Sequence, residues 1–292
     1  MRPIASFLME VLGYQSRPTL RDPVMVGAFS GWGDAGEAAS TAVEALHERW
    51  RAQVFASIDP EEFYDFQVTR PRVRLVDGDR HIEWPETTFA HSKVPGASRD
   101  AVLLEGAEPS MRWRLYTDSV MRLASDSGVK LVVTLGALLA NRPHSRPVKV
   151  TGTAADPELA TRLGLRPSRY EGPTGIVGVL TDALRRAEIP TVSLWAWVPH
   201  YVRDTPSPAA SLALLRRLGT LLDVAIDLTE LETEAEAYVE QINDAVQADP
   251  QFAAQVRELE EQSDRDDLEE LPSADDIAEE VERYLRNHGN DG

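Results

Sequence analysis

Two periods of hydrophobic patterning alternate along this chain. Short apolar runs at 24–29, 53–58, 101–105, 130–135, 148–152 and 191–197 have the composition and length of β-strands. Between them, over 35–50, 110–127, 157–163, 174–187 and 207–222, apolar residues return every three or four positions, as on a helix with one buried face. Strands alternating with helices predict an α/β fold: a mostly parallel sheet flanked by helices on both faces. The run "KLVVTLGA" at 130–137 is apolar almost throughout, as a central strand covered on both sides should be. "RVRLVDGDRHIEW" at 72–84 alternates on either side of Asp77-Gly78, which predicts a β-hairpin at the sheet edge or as an excursion from it.

The strand signal stops near residue 226. Leu231, Ala235, Tyr238, Ile242 and Ala245 then repeat at helical spacing, a seam that needs a partner surface. Thr229 and Glu232 have capping-box spacing for the start of that helix, and Asp249-Pro250 ends it and begins another through Val256 and Leu259, over 250–262. A third helix is predicted from Ser273, with Ile277, Val281 and Leu285 on its apolar face. The linking stretch 260–276 is dominated by charge and is expected to be mobile. The predicted division is an α/β domain over 1–225 and an acidic helical extension over 226–292.

Charge sharpens that division. The 292 residues carry a net charge of −18, yet from Asp223 onward 23 acidic residues face 4 basic ones. The rest of the chain has 25 acidic and 26 basic residues and is close to neutral. An acidic tail repels nucleic acid and anionic lipid, so neither is an expected partner; it favours solubility or docking to a basic surface. The chain has no cysteine, which removes thiolate catalysis, disulfides and cysteine zinc sites together. No apolar run reaches the roughly 18 residues of a membrane span. Glu10 interrupts the one N-terminal stretch that resembles a signal core, so a cytoplasmic protein is expected.

The stretch "VMVGAFSGWGDAGEAAST" at 24–41 contains G-x-G-x-x-G between a strand and a helix. Alone, that motif is a weak sign of a dinucleotide site. Here Asp34, followed three positions later by Glu37, predicts a helix cap whose carboxylate bonds backbone N–H groups near Ala35–Glu37. Such a carboxylate would occupy the donors that a pyrophosphate needs and would repel its charge. No cofactor is expected, and the six histidines show no metal-ligand spacing.

The segment "GAFSGWGDAGEAASTAVEAL" (27–46) resembles the opening of the PAC2 family, named for a proteasome assembly chaperone. Further matches follow in order: "LLEGAEPSMRWR" (103–114), "VTGTA" (150–154), "YEGPTGIVGVL" (170–180), "WVPHYV" (197–202) and "SPAASLALLRRL" (207–218). The acidic tail resembles that of actinobacterial members. The resemblance implies a core like that of nucleoside phosphorylases and hydrolases, homo-oligomeric assembly with a trimer as the expected form, and protein partners such as proteasome subunits. Assembly chaperones of this kind often dock through a C-terminal hydrophobic-Tyr-X tail. Here the nearest equivalent, Arg283-Tyr284-Leu285, is internal and the chain ends "NHGNDG", which counts against direct carry-over.

In an open α/β sheet, ligands sit beyond the carboxyl ends of the strands. The polar residues expected there are Ser30, Trp32 and Asp34; Asp59; Glu105, Glu108 and Arg112; Asn141, Arg142 and His144; and His200 with Tyr201. Glu171 and Thr174 join them at the "EGPTGIVG" turn, and Asp34, Glu108 and His200 are the acid/base candidates if catalysis occurs. Two readings follow: a proteasome-assembly-chaperone-like interaction protein without turnover, or an enzyme of nucleoside phosphorylase/hydrolase or ligase type using a strand-end cleft. The first is favoured, since no recognisable catalytic motif is present. The cleft decides between them, according to whether it presents converging side chains or is closed by aromatic packing.

Overall fold

The computed structural model describes residues 11–154, 156–165 and 171–269. The predicted helix from Ser273 and the Arg283-Tyr284-Leu285 triplet lie outside the described residues.

Ten strands form in chain order: β1 (Leu12–Tyr14), β2 (Val24–Ser30), β3 (Gln53–Ile58), β4 (Arg72–Val76), β5 (Asp79–Glu83), β6 (Thr87–Lys93), β7 (Asp100–Ala107), β8 (Leu131–Ala140), β9 (Val150–Ala154) and β10 (Thr191–Pro199). The helices are α1 (Ala38–Arg49), α2 (Trp113–Asp126), α3 (Pro157–Arg162), α4 (Ile176–Arg186), α5 (Pro208–Leu222), α6 (Thr229–Ala248) and α7 (Pro250–Glu269). Eight strands make one sheet in the order β1-β3-β6-β7-β2-β8-β10-β9. Its centre, β7-β2-β8-β10, is parallel, and antiparallel strands extend it on both sides.

Period-two alternation in β2 assigns the two faces. Val24, Val26 and Ala28 pack with Ala42, Val43 and Leu46 of α1 and Leu214, Leu215 and Leu218 of α5. Met25 and Phe29 pack with Tyr116, Val120 and Leu123 of α2 and Ile176, Leu180 and Leu184 of α4. Leu231 and Ala235 join the first face, so the seam of α6 is spent on the chain's own core and carries no information about assembly.

Three local expectations are corrected. α1 begins at Ala38, because Gly36 and Glu37 take positive φ angles of 61° and 50° and hold Ala35–Glu37 as a separate 3₁₀ turn. α6 is preceded by an Asp227 carboxylate that accepts from the Thr229 N–H and hydroxyl, so Thr229 is a donor and Glu232 instead pairs with Arg216. α7 continues through Glu269, into the stretch expected to be mobile; Ser263 and Asp264 hydrogen-bond Arg142 and Arg146 and tie it to the body. Asp249 caps α7 as expected, accepting from the N–H groups of Gln251 and Phe252. The predicted hairpin is the excursion, a two-stranded ribbon β4-β5 separate from the main sheet.

Candidate functional site

The loop after β2 positions the first group of side chains. Asp34 is buried where β2 and β8 diverge, with its backbone bridged to Ala137 of β8. Its Oδ1 accepts from the N–H groups of Ala39 (2.7 Å) and Ser40 (3.3 Å), and its Oδ2 accepts from the Ser40 hydroxyl (2.6 Å). The cap therefore reaches the first turn of α1, beyond the Ala35–Glu37 donors expected, since the intervening 3₁₀ turn displaces the helix start. Burial raises the Asp34 carboxyl above its ordinary range, while the bonds from Ser40 and Ala39 act in the opposite direction.

Glu108 serves a second helix. Its Oε1 accepts from the N–H of Ile176 at 2.8 Å, capping α4 from a distant segment, where Gly175 at the N-cap has no side chain of its own to offer. The Glu108 N–H donates to the Ser30 carbonyl at 2.8 Å. A Cβ on Gly175 would lie 2.7 Å from Glu108 Oε1 and 3.2 Å from the Trp32 ring, so glycine is what permits this approach. Trp32 itself is 68% exposed, and Glu171 and Thr174 are also exposed. Arg112 adopts a positive φ at the start of α2 and pairs with Glu62.

A second group gathers where β8 and β10 end. The Tyr201 hydroxyl accepts from the His144 N–H at 2.7 Å and lies 2.8 Å from His144 Nδ1. His144 Nε2 lies 3.0 Å from Asn243 Oδ1 on α6. The Tyr201 ring packs edge-on against His144, His200 and Phe252 of α7. Burial is the main cause pushing the Tyr201 phenol up to about 12. His200 Nδ1 is buried without a hydrogen-bond partner among the described residues, and Nε2 faces the Gln255 amide at 3.5 Å. Arg142 is buried, bonded to Ser263 of α7, and stacked toward Trp197 at 5.9 Å. The hollow left beside Arg142, His144, Trp197 and Tyr238 is about 20 Å³, room for about one water molecule.

The contacts thus sort the residues into two groups. Ser30, Trp32 and Glu108 meet at the N-terminus of α4, while Arg142, His144, His200 and Tyr201 lie beneath α6 and α7. Asp59 is engaged locally, accepting from the Glu61 N–H at 2.9 Å, and Asn141 is exposed. Glu105 is half-buried on β7, where burial and the nearby Glu44 raise its carboxyl. Asn243 and Gln255 escape sequence reasoning because they are polar residues outside the apolar seams, whereas Phe252 and Ser263 continue the Val256–Leu259 stripe of α7, and extending its helical phase could have placed them. Chemically, the Asp34 and Glu108 carboxylates are acceptors for backbone N–H groups, which fixes two helix starts against the sheet.

The PAC2 family model matches residues 28–246, three-quarters of the chain. The chain belongs to the PAC2 family. A PAC2 family protein from Streptomyces avermitilis is 53% identical, with 76% of this chain and 95% of that one aligned and a TM-score of 0.74. A proteasome-assembly chaperone homologue from Mycobacterium tuberculosis is 46% identical over 80% of this chain and 99% of its own, with a TM-score of 0.73. The Pyrococcus furiosus protein PbaB, an archaeal proteasome activator, shares the fold at 17% identity and a TM-score of 0.67, covering 80% of this chain and 97% of its own. Among curated proteins none matches. No described helix of this PAC2 protein is long and apolar enough to cross a membrane.

Proposed function

We propose that this PAC2 protein is a chaperone of proteasome assembly, working in the cytoplasm as a homo-oligomer, with three copies the expected number. It binds protein partners, proteasome subunits among them. The observation that carries this reading is the use made of the strand-end polar groups. Asp34 and Glu108 hold helix starts, and His144 and Tyr201 bond one another under a cover of α6 and α7. A small-molecule cleft encloses several hundred cubic ångströms, whereas the hollow at these strand ends is about 20 Å³, which favours an interaction scaffold. The Mycobacterium tuberculosis relative, described as a proteasome-assembly chaperone homologue, supports the choice of partner. In this reading residues 1–225 are the folded body and 226–292 an acidic extension suited to basic partner surfaces.

The test combines co-purification and light scattering. Full-length protein should retain proteasome α-subunits from a native lysate, with salt weakening the capture, and should scatter light with the mass of an oligomer at micromolar concentration. Capture of a small-molecule substrate in place of protein, with turnover abolished in Glu108→Gln or His200→Gln, would overturn the reading in favour of an enzyme. A monomer at micromolar concentration would remove the self-association.

A further inference from the structure

The small hollow beneath α6 is surrounded by cations in a chain that is acidic elsewhere. It measures about 20 Å³, and Arg142, Arg146, Lys149, Trp197, Ser207 and Tyr238 all line it. Among the described residues no aspartate or glutamate does, although the chain has 48 of them against 30 lysines and arginines. The loop between β8 and β9 supplies the three cations, and Pro143 and Pro147 restrict its backbone.

Packing orders these side chains. Arg142 donates to the Ser263 carbonyl at 3.4 Å and lies 5.9 Å from the Trp197 ring. The Lys149 ammonium sits over the same ring at 5.2 Å, within the range of a cation–π contact. Arg146 pairs with Asp264 at 2.7 Å and with Glu260 at 3.7 Å.

Tyr238 gives an independent sign of a ligand. It is only 7% exposed, and its hydroxyl is buried with no hydrogen-bond partner among the described residues. Ser207 stands nearby but not at hydrogen-bond geometry. Burial raises the phenol above its ordinary value, which keeps it an O–H donor. A buried donor without an acceptor is costly, so the fold gains when an acceptor fills the hollow.

Size and chemistry select that acceptor. A hollow of about 20 Å³ takes one atom or one water molecule, and a tetrahedral oxyanion is several times larger. Water would need acceptors for its own hydrogens, and no carboxylate of the described lining offers one. A halide is little larger than water and only accepts. We infer that the hollow between Arg142, Lys149 and Tyr238 is a binding site for a single halide ion, chloride in physiological salt. The ion joins the β8–β9 loop to Ser207 at the start of α5 and to Tyr238 of α6. The site goes beyond the chaperone reading and does not depend on it.

The experiment compares the melting of wild type and Tyr238→Phe in potassium chloride and in potassium gluconate at matched ionic strength. Gluconate is too large for the hollow, and the variant subtracts general effects of the salt. Wild type should gain several degrees in chloride, saturably with concentration, over what Tyr238→Phe gains. The variant loses only an oxygen without a protein partner, so it should fold and melt no lower than wild type in gluconate. A wild-type crystal soaked in bromide should show an anomalous peak beside the Tyr238 hydroxyl, and Lys149→Gln should weaken chloride affinity several-fold. Equal chloride gains in wild type and Tyr238→Phe overturn the site and leave the hollow to water. A bromide soak with no peak there overturns it as well, and decides the matter if the variant fails to fold.

Discussion

At the scale of single residues, Asp34 shows how a motif can be read correctly in kind and misplaced in detail. The sequence identifies a capping carboxylate and rejects a dinucleotide loop. It does not reveal that Gly36 and Glu37 would turn left-handed and move the helix start to Ala38. Replacing Asp34 with Ala should cost about 1–2 kcal/mol, measured by urea unfolding, because two N–H groups and a hydroxyl lose their acceptor. Asp34→Asn keeps an acceptor and should cost less. The raised carboxyl fixes the sign of the pH effect: the protonated form is favoured in the folded state. That contribution is fully present below the ordinary carboxylate range and is lost as pH rises through the raised value. Wild type should therefore gain on Asp34→Asn as the solution is acidified. Tyr14 and Tyr201 titrate the same way at the other extreme, both pushed up to about 12, mainly by burial. Stability should decline between the ordinary phenol value of about 10 and 12, with phenolate absorbance appearing late in the native protein.

At the scale of elements, periodicity located six strands of the main sheet, the hairpin and seven helices, although α7 runs seven residues past its expected end. It missed β1 and β6. β6, "TTFAHSK", buries Thr87 and Ser92, polar residues that break the alternation a strand shows. Their hydroxyls are satisfied by partners far along the chain: Tyr64 and Tyr116 for Thr87, the Trp50 carbonyl for Ser92. No local window contains that information. The cap on α4 is equally non-local, since Glu108 precedes the helix by 68 residues. Glu108→Ala should leave the N-terminus of α4 without its carboxylate and cost about 1 kcal/mol, with faster hydrogen exchange at Ile176 and Val177. Gly175→Ala should mimic it, because the added Cβ displaces the same oxygen. If exchange at α4 is unchanged in both variants, the carboxylate is not its cap.

At the scale of the whole molecule, the acidic extension is partly architecture. Tyr238, Ile242, Val256 and Leu259 are buried, and α7 is fastened to the strand-end loop by Arg142 and Arg146. Ending the chain after Ala248 should expose Tyr201 and His200, leave the sheet intact, and lower stability by about 2 kcal/mol, a shift in Tm of roughly 4–8 °C. Ending it after Glu269 should shift Tm far less. Global unfolding of the shorter chain would show that α7 belongs to the fold's cooperative unit. The uneven charge has a further result. A nearly neutral body with its excess negative charge gathered from Asp223 onward carries a large electric dipole moment. Within about a Debye length of a positive surface, roughly 8 Å in physiological salt, the field exerts a torque before any contact forms. The molecule therefore arrives extension first, and salt slows its arrival more than it hastens its departure.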